Sequence, residues 1–167
     1  MNKHLILIGF MGTGKTVVGR ALGQLSGYPL IDTDNVIETM SGQTIPSLFK
    51  DKGEAHFRAM ESQLCQTLSD NPPSIITTGG GFPIPDSQQL RLKEMGTIVY
   101  LYTPLKTIET RLKESYDRPL WQNKESITEL YQKRDPTYRS LAHHQVHTED
   151  NSVEEIAKVV WSLYNSK

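Results

Sequence analysis

The sequence predicts a three-layer α/β fold in which helices cover both faces of a five-stranded parallel sheet. Four short apolar runs are continuous rather than alternating, as strands buried on both faces require. These runs span 5–10, 29–33, 74–79 and 97–102, and a weaker fifth spans 145–149. Segments of helical period separate them, and strands that alternate with helices indicate parallel order. Because 167 residues can bury one core, we expect a single domain over 1–167.

Three of the predicted helices are marked by side chains, mostly apolar, that share one face. The faces comprise Phe57, Met60, Leu64 and Leu68 in 54–69; Ile127, Leu130, Tyr131, Arg134, Tyr138 and Leu141 in 126–142; and Val153, Ile156, Ala157, Val160 and Tyr164 in 152–165. In the second helix, Asp135-Pro136 predicts a kink or a restart. Ser152 with Glu155 three residues later predicts a capping box at the start of the third.

Two regions contain more chain than the alternation of strands and helices requires. Residues 34–60 contain more helix than one crossover needs, and residues 112–125 are polar, without a clear period, and include Trp121. Long polar excursions in a compact domain often form lids or binding loops. We therefore expect a substrate-binding insertion at 34–60 and a lid at 112–125.

Composition excludes several classes of protein. A formal net charge of −1 provides no basic field for nucleic acid, and no apolar run approaches the roughly 20 residues of a membrane span. The single Cys65 cannot form an intramolecular disulfide and fits a reducing compartment. The apolar stretch at the amino terminus is too short for a signal peptide. We expect a cytoplasmic protein in which Cys65 is a small core residue.

Residues 9–16, GFMGTGKT, match the phosphate-binding pattern G-x-x-x-x-G-K-[ST]. A predicted strand precedes the match and a predicted helix follows it, which is the context that the pattern requires. Its glycines let backbone N–H groups point at a phosphate beside the positive end of a helix. Lys15 would neutralise the β and γ phosphates, and Thr16 would offer its hydroxyl to Mg²⁺. The pattern predicts binding of a nucleoside triphosphate.

Two carboxylates, Asp32 and Asp34, close the second predicted strand. The carboxyl ends of neighbouring parallel strands meet at one rim, so both should lie beside the phosphate loop. One could order Mg²⁺ and its waters, and the other could accept a hydroxyl proton. The alternative is structural: Asp34 or Thr33 caps a helix that begins at Asn35.

Other residues point to an acceptor. The run Gly79-Gly80-Gly81 ends the third strand and indicates that something lies directly against the backbone. Glu54, Arg58 and Glu61 share one helical face, although, taken alone, a solvated surface ion pair is the better explanation for them. Arg139 is a second arginine. Two arginines converging on one pocket would indicate an anionic acceptor, because the planar guanidinium binds carboxylates in two-pronged fashion.

The motifs GFMGTGKTxxG, DTD, SGxTIPxLFxxxGExxFRxxE, TTGGG, DRPL and KRxPxYR, in this order and spacing, resemble those of shikimate kinases. The similarity runs from about residue 5 to residue 160, and GExxFRxxE followed by GGG is much more specific than the phosphate loop. The resemblance implies transfer of the γ-phosphoryl group of ATP to the 3-hydroxyl of shikimate, giving shikimate 3-phosphate and ADP in the chorismate pathway to aromatic amino acids. It also implies a Mg²⁺-dependent monomer without nucleic-acid or membrane partners.

The resemblance further assigns roles on the acceptor side. Arg58 and Arg139 would grip the shikimate carboxylate, and Glu61 would orient Arg58. Asp34 would hold the ring hydroxyls and act as base for the 3-hydroxyl. Gly79, Gly80 and Gly81 would bring bare backbone against the ring.

On the donor side, the residues that would hold the ATP phosphates are Gly12, Thr13, Gly14 and Lys15. Thr16 and Asp32 would bind Mg²⁺. Arg118 resembles a lid arginine that closes over the transferring phosphoryl group, and Arg111 resembles a residue that flanks adenine. Trp121 stands where a smaller apolar residue is expected, so the packing of the lid is left open.

Two other functions stay open. A gluconate or nucleoside monophosphate kinase would also carry a phosphate loop and a lid, but would not require the triple glycine with Arg58 and Arg139. A GTP switch should carry D-x-x-G and N-K-x-D, and the closest match to the latter is NKES at 123–126. A dinucleotide oxidoreductase is excluded, because its third glycine would fall at Val17.

Overall fold

The computed structural model describes residues 3–114 and 124–166, with side chains of the second range from residue 127 onward. The predictions for Arg118 and Trp121 lie outside the described residues.

Five parallel strands form one sheet in the order β2-β3-β1-β4-β5. They are β1 (His4–Ile8), β2 (Leu30–Asp32), β3 (Ile75–Thr77), β4 (Gly96–Tyr102) and β5 (His144–His147). The predicted parallel sheet is confirmed. The first apolar run extends past its strand, because Gly9 and Phe10 already belong to the loop that leaves the sheet.

Helices cover both faces of this sheet. They are α1 (Lys15–Ser26), α2 (Thr33–Ser41), α3 (Ile45–Lys52), α4 (Glu54–Thr67), α5 (Asp86–Met95), α6 (Leu105–Lys113), α7 (Lys124–Leu141) and α8 (Val153–Asn165). Alternate residues of β1 point to opposite faces of the sheet. Leu5 and Leu7 pack with α1 and α8, whereas Ile6 and Ile8 pack with the helices of the other face. The apolar runs are continuous because both faces of the strands are buried.

Helix α7 does not restart at Pro136, so that part of the prediction is wrong. The helix continues through the proline, and Ile127 before it and Tyr138 and Leu141 after it are buried in the core. Packing on both sides outweighs the backbone hydrogen bond that a proline forfeits. The capping box of α8 is present, since Ser152 Oγ accepts from Glu155 N and the Glu155 carboxylate accepts from Ser152 N.

Three helices, α2, α3 and α4, separate β2 from β3, in the region where the sequence predicts an insertion. Helix α6 ends at Lys113 and α7 begins at Lys124, so most of the predicted lid lies outside the described residues. Within 3–114 and 124–166, no helix is both long and apolar enough to cross a membrane.

Candidate active site

The phosphate loop connects β1 to α1 at the carboxyl edge of the sheet. Gly12 and Gly14 have φ of 78° and 89°, which favours glycine and turns successive N–H groups inward. No side chain caps α1, so its first N–H groups can meet an anion. Lys15 is buried, and its Nζ donates to the carbonyl oxygens of Gly9 at 2.8 Å and Phe10 at 2.9 Å. Thr13 Oγ1 also donates to Phe10, at 3.0 Å.

Asp32 accepts four hydrogen bonds, two through each carboxylate oxygen. Oδ1 accepts from the backbone N–H groups of Asp34 and Asn35, at 3.1 and 3.2 Å, and so caps α2. Oδ2 accepts from the hydroxyls of Thr16 and Thr77, both at 3.1 Å. The alternative in which Asp34 or Thr33 caps this helix is therefore wrong. The helix starts two residues earlier than the sequence suggests, and Asp32 is its N-cap.

Two cavities meet at this edge of the sheet. One, of about 430 Å³, runs along the phosphate loop, and the other, of about 330 Å³, lies between α2, α3, α4 and α7. The residues that line both are Met11, Thr16, Asp32, Asp34, Gly79 and Gly80. A ligand in one cavity would thus meet a ligand in the other beside Asp34 and Thr16, as transfer of a group between two substrates requires.

The walls of the smaller cavity differ in character. Its polar side chains include Asp34, Arg58, Glu61 and Arg134. An apolar wall faces the cavity from α3 and α4, formed by Ile45, Pro46, Phe49 and Phe57. None of these four apolar residues is predicted as a site residue. All four fall within the longest motif of the resemblance, and Phe57 also belongs to the apolar face predicted for 54–69.

The triple glycine makes room for charged side chains of this chain. A Cβ on Gly79 would lie 2.7 Å from Asp34 Oδ1, and one on Gly81 would lie 2.7 Å from Arg58 Cζ. A Cβ on Gly80 would lie 3.2 Å from Arg134 Nη1. The prediction that something lies directly on this backbone agrees with the structure, but the space beside each Cα is occupied by Asp34, Arg58 or Arg134.

Two carboxylates of its own helix, α4, bind the guanidinium of Arg58. Its Nη1 donates to Glu61 Oε1 at 2.5 Å, and its Nη2 donates to Glu54 Oε1 at 3.2 Å. Glu61 is 1% exposed, and its Oε2 has no hydrogen-bond partner among the described residues. Burial raises the pKa of Glu61 to about 7, against the opposing attraction of Arg58. A solvated surface ion pair is therefore the wrong interpretation for Arg58 and Glu61.

The predicted convergence of Arg139 with Arg58 is wrong, and Arg134 takes that place. Arg139 is outside both cavities, with a side chain 45% exposed. Its Nε donates to Asp135 Oδ2 at 2.7 Å, and its guanidinium lies over the ring of Tyr102. Arg134 is only 7% exposed and lines the smaller cavity. Five residues of α-helix separate the two arginines by about 500° of rotation, so they cannot share a face.

The larger cavity extends from the phosphate loop to the segment that follows β5. Arg111 lines it and donates through Nη1 to the carbonyl oxygen of Gly12, at 2.9 Å. The lining residues at the far end that sequence reasoning missed are Thr148, Asn151, Val153 and Ile156. They carry no motif, and only the sheet order brings them beside the loop.

Comparison with known proteins gives a consistent family. The family model for shikimate kinase matches residues 11–164. The shikimate kinase of Acinetobacter baylyi is 37% identical over 163 residues, covering 94% of this chain and 89% of its own. A solved shikimate kinase from Acinetobacter baumannii, in complex with shikimate, superposes with a TM-score of 0.91 at 35% identity and covers 96% of this chain and 92% of that one.

Other solved structures extend the likeness. The shikimate kinase from Aquifex aeolicus has a TM-score of 0.83 at 32% identity, covering 96% of this chain and 95% of that one. A gluconokinase from Sinorhizobium meliloti has a TM-score of 0.59 at 18% identity, over 98% of this chain and 94% of that one, which shows a shared fold alone. The family match and the identities to shikimate kinases cover nearly the whole described chain, and this chain belongs to the shikimate kinase family.

Proposed function

We propose that this protein transfers the γ-phosphoryl group of ATP to the 3-hydroxyl of shikimate, giving shikimate 3-phosphate and ADP in the chorismate pathway. The observation that carries the proposal is the pair Arg58 and Arg134 in a 330 Å³ cavity that adjoins the phosphate loop. Among the described residues, no carboxylate lies within ion-pair distance of the buried Arg134. A buried guanidinium without such a partner is costly, and an anionic ligand offsets that cost.

The acceptor site follows from this cavity. Arg58 and Arg134 bind the carboxylate of shikimate, and the apolar wall from α3 and α4 packs against the ring. Asp34 lies where the two cavities meet, so its carboxylate faces the acceptor hydroxyl and takes its proton. We assign no substrate contact to Arg139, because its guanidinium is paired with Asp135 outside the cavity.

The donor site is the larger cavity. Backbone N–H groups of Gly12, Thr13 and Gly14 bind the phosphates, and Lys15 leaves the loop carbonyls to neutralise the transferring group. Arg111 flanks the adenine ring. The lid arginine, Arg118, remains a prediction from sequence.

A divalent metal fits the donors that are present. Thr16 and Asp32 supply a hydroxyl and a carboxylate, the hard oxygen ligands that Mg²⁺ prefers, and both line both cavities. Among the residues described, no cluster of three or more His, Cys, Asp or Glu side chains could hold a metal alone. Mg²⁺ usually keeps several waters and substrate phosphates as ligands, so a site with few protein ligands suits it. When bound, it would neutralise charge on the β and γ phosphates.

The residues of this chain then account for catalysis by positioning and charge. The two cavities hold the acceptor hydroxyl and the γ phosphate in line, and Lys15 stabilises negative charge on the phosphoryl oxygens. Both cavities are lined within one chain, so we infer that a monomer suffices. We also infer a cytoplasmic location, from the supply of ATP and the buried free thiol of Cys65.

The test is release of ADP from Mg-ATP by the purified protein, with shikimate, gluconate and nucleoside monophosphates offered separately. Turnover with shikimate alone is the expected result. Turnover with gluconate or a nucleoside monophosphate instead would confirm kinase activity but refute shikimate as the acceptor. Slow hydrolysis with none of them would favour a nucleotide-dependent switch.

A further inference from the structure

The hydroxyl of Tyr138 connects the second arginine of the acceptor cavity to the triple glycine. It donates to the carbonyl oxygen of Gly80 at 2.5 Å. The Arg134 side chain, one helical turn earlier on α7, interacts electrostatically with the same hydroxyl. A Cβ built on Gly80 would lie 3.6 Å from the Tyr138 oxygen and 3.2 Å from Arg134 Nη1, so both groups converge on one peptide.

Tyr138 itself is immobilised by the core. It is fully buried, and its ring centroid lies 5.3 Å from that of Tyr100. The hydroxyl of Tyr100 donates to Asp135 Oδ1 at 2.6 Å, which links β4 to α7. The orientation of Tyr138 is thus fixed before any ligand binds.

Tyr138 lines neither cavity, so it does not touch substrate. Arg134, in contrast, lines the cavity and has no carboxylate partner among the described residues to fix its direction. Arg58, unlike Arg134, forms ion pairs with two carboxylates of its own helix, Glu54 and Glu61. The two arginines therefore require different supports, and the phenol oxygen of Tyr138 is the neighbour on α7 whose attraction favours the charged guanidinium of Arg134.

We propose that Tyr138 is the positioning residue for Arg134: its hydroxyl, anchored on the Gly80 carbonyl, aims the guanidinium at the carboxylate of the acceptor. The inference rests on the proposed function. A tyrosine suits this place better than a carboxylate, because it accepts a hydrogen bond without neutralising the charge that must bind the substrate. Burial also raises the pKa of Tyr138 well above its usual range, so the hydroxyl stays protonated and donates to Gly80 at every working pH.

The test is steady-state kinetics of Tyr138→Phe, which removes the hydroxyl and keeps the ring against Tyr100. We expect the KM for shikimate to rise roughly tenfold, as loss of one hydrogen bond to a charged group allows, with kcat and the KM for ATP within about twofold. The matched control is Tyr131→Phe on the same helix. Its hydroxyl donates to the carbonyl oxygen of Thr103 at 3.2 Å, and it lines neither cavity.

A double-mutant cycle with Arg134→Lys separates positioning from general structural support. If Tyr138 acts through Arg134, its substitution should change the KM for shikimate by less than about twofold in the Arg134→Lys background. Equal effects of Tyr138→Phe in both backgrounds, or a KM no different from that of Tyr131→Phe, would overturn the proposal. Absence of shikimate turnover by the unsubstituted protein would instead refute the proposed function, so the two failures are distinguishable.

Discussion

The guanidinium of Arg58 donates to the buried Oε1 of Glu61 at 2.5 Å, one turn along the same helix. Glu61 is buried in the wall of the smaller cavity, whereas Glu54, the other partner of Arg58, is exposed to solvent. The buried pair fixes the direction of Arg58 toward the cavity, at the cost of a carboxylate whose other oxygen has no hydrogen-bond partner among the described residues.

The buried carboxylate of Glu61 predicts a pH dependence of stability. Its pKa in the folded protein is about 7, above the unfolded value of 4.5, so the folded state binds more protons between these values. The stability that this group contributes is fully present below pH 4.5 and is lost as pH rises to about 7. Relative to Glu61→Gln, the unsubstituted protein should lose on the order of 2 kcal/mol of unfolding free energy between pH 5 and pH 8.

Urea unfolding of both proteins at pH 5 and pH 8 measures this difference. Titration of all other groups is common to the two proteins and cancels in the comparison. A difference that does not change with pH would show that Glu61 is ionised throughout.

Gly81→Ala should displace Arg58 without unfolding the protein. The added Cβ would overlap the guanidinium, which is the far end of a flexible side chain and can move aside. We expect kcat/KM for shikimate to fall by about 10- to 100-fold, because a small misplacement of a binding group is enough for such a loss, with the KM for ATP little changed. Gly23→Ala is the control, since its nearest neighbour outside the helix would be 3.4 Å away. Full activity in both variants would contradict the packing of Gly81 on Arg58.

Asp32→Asn should distinguish the capping of α2 by Asp32 from its proposed binding of Mg²⁺. Asparagine can still accept the N–H groups of Asp34 and Asn35 as an N-cap, so the melting temperature should hardly change. Loss of the negative charge should raise the Mg²⁺ concentration needed for half-maximal activity by roughly tenfold or more, because Mg²⁺ selects anionic oxygen. Titration of activity with Mg²⁺ at saturating ATP is the measurement, and an unchanged midpoint would remove Asp32 from the metal site.

His4→Leu should stabilise the protein. His4 is fully buried at the start of β1, and neither ring nitrogen has a hydrogen-bond partner among the described residues. Replacing such a group with an apolar one should add about 1 kcal/mol to the free energy of unfolding at pH 8. Burial, assisted by Lys3, lowers the pKa of His4, so protonation of the unfolded state penalises the unsubstituted protein as pH falls below 6.5. The advantage of leucine, measured by urea unfolding, should therefore grow at pH 5.5, and a less stable variant would contradict this.

The fold and the donor loop could be predicted from the sequence because their signals are local. Continuous apolar runs indicate strands buried on both faces, and the spacing of Gly9, Gly14 and Lys15 indicates a phosphate loop wherever a strand and a helix flank it. The acceptor site depends on which helix face meets the sheet. The periodicity of α7 places Arg134 and Tyr138 on the apolar face. It is a better guide to which arginine lines the cavity than the position of Arg139 in the motif.

Other features depend on contacts between distant segments. Nothing in the local sequence shows that each glycine of 79–81 adjoins a different charged side chain, because those side chains come from α2, α4 and α7. Asn151 likewise lines the larger cavity only because β5 is parallel to β1 in the same sheet, so that the carboxyl ends of both strands lie at one rim.

In the proposed function, Arg134 and not Arg139 binds the acceptor together with Arg58. The most direct measurement is the KM for shikimate of Arg134→Lys and Arg139→Lys, determined side by side at saturating ATP. Both variants keep the charge and lose the planar fork that binds carboxylates. We expect a rise of at least about tenfold for Arg134→Lys and a change within about twofold for Arg139→Lys. A large rise for Arg139→Lys with an unchanged Arg134→Lys would contradict it.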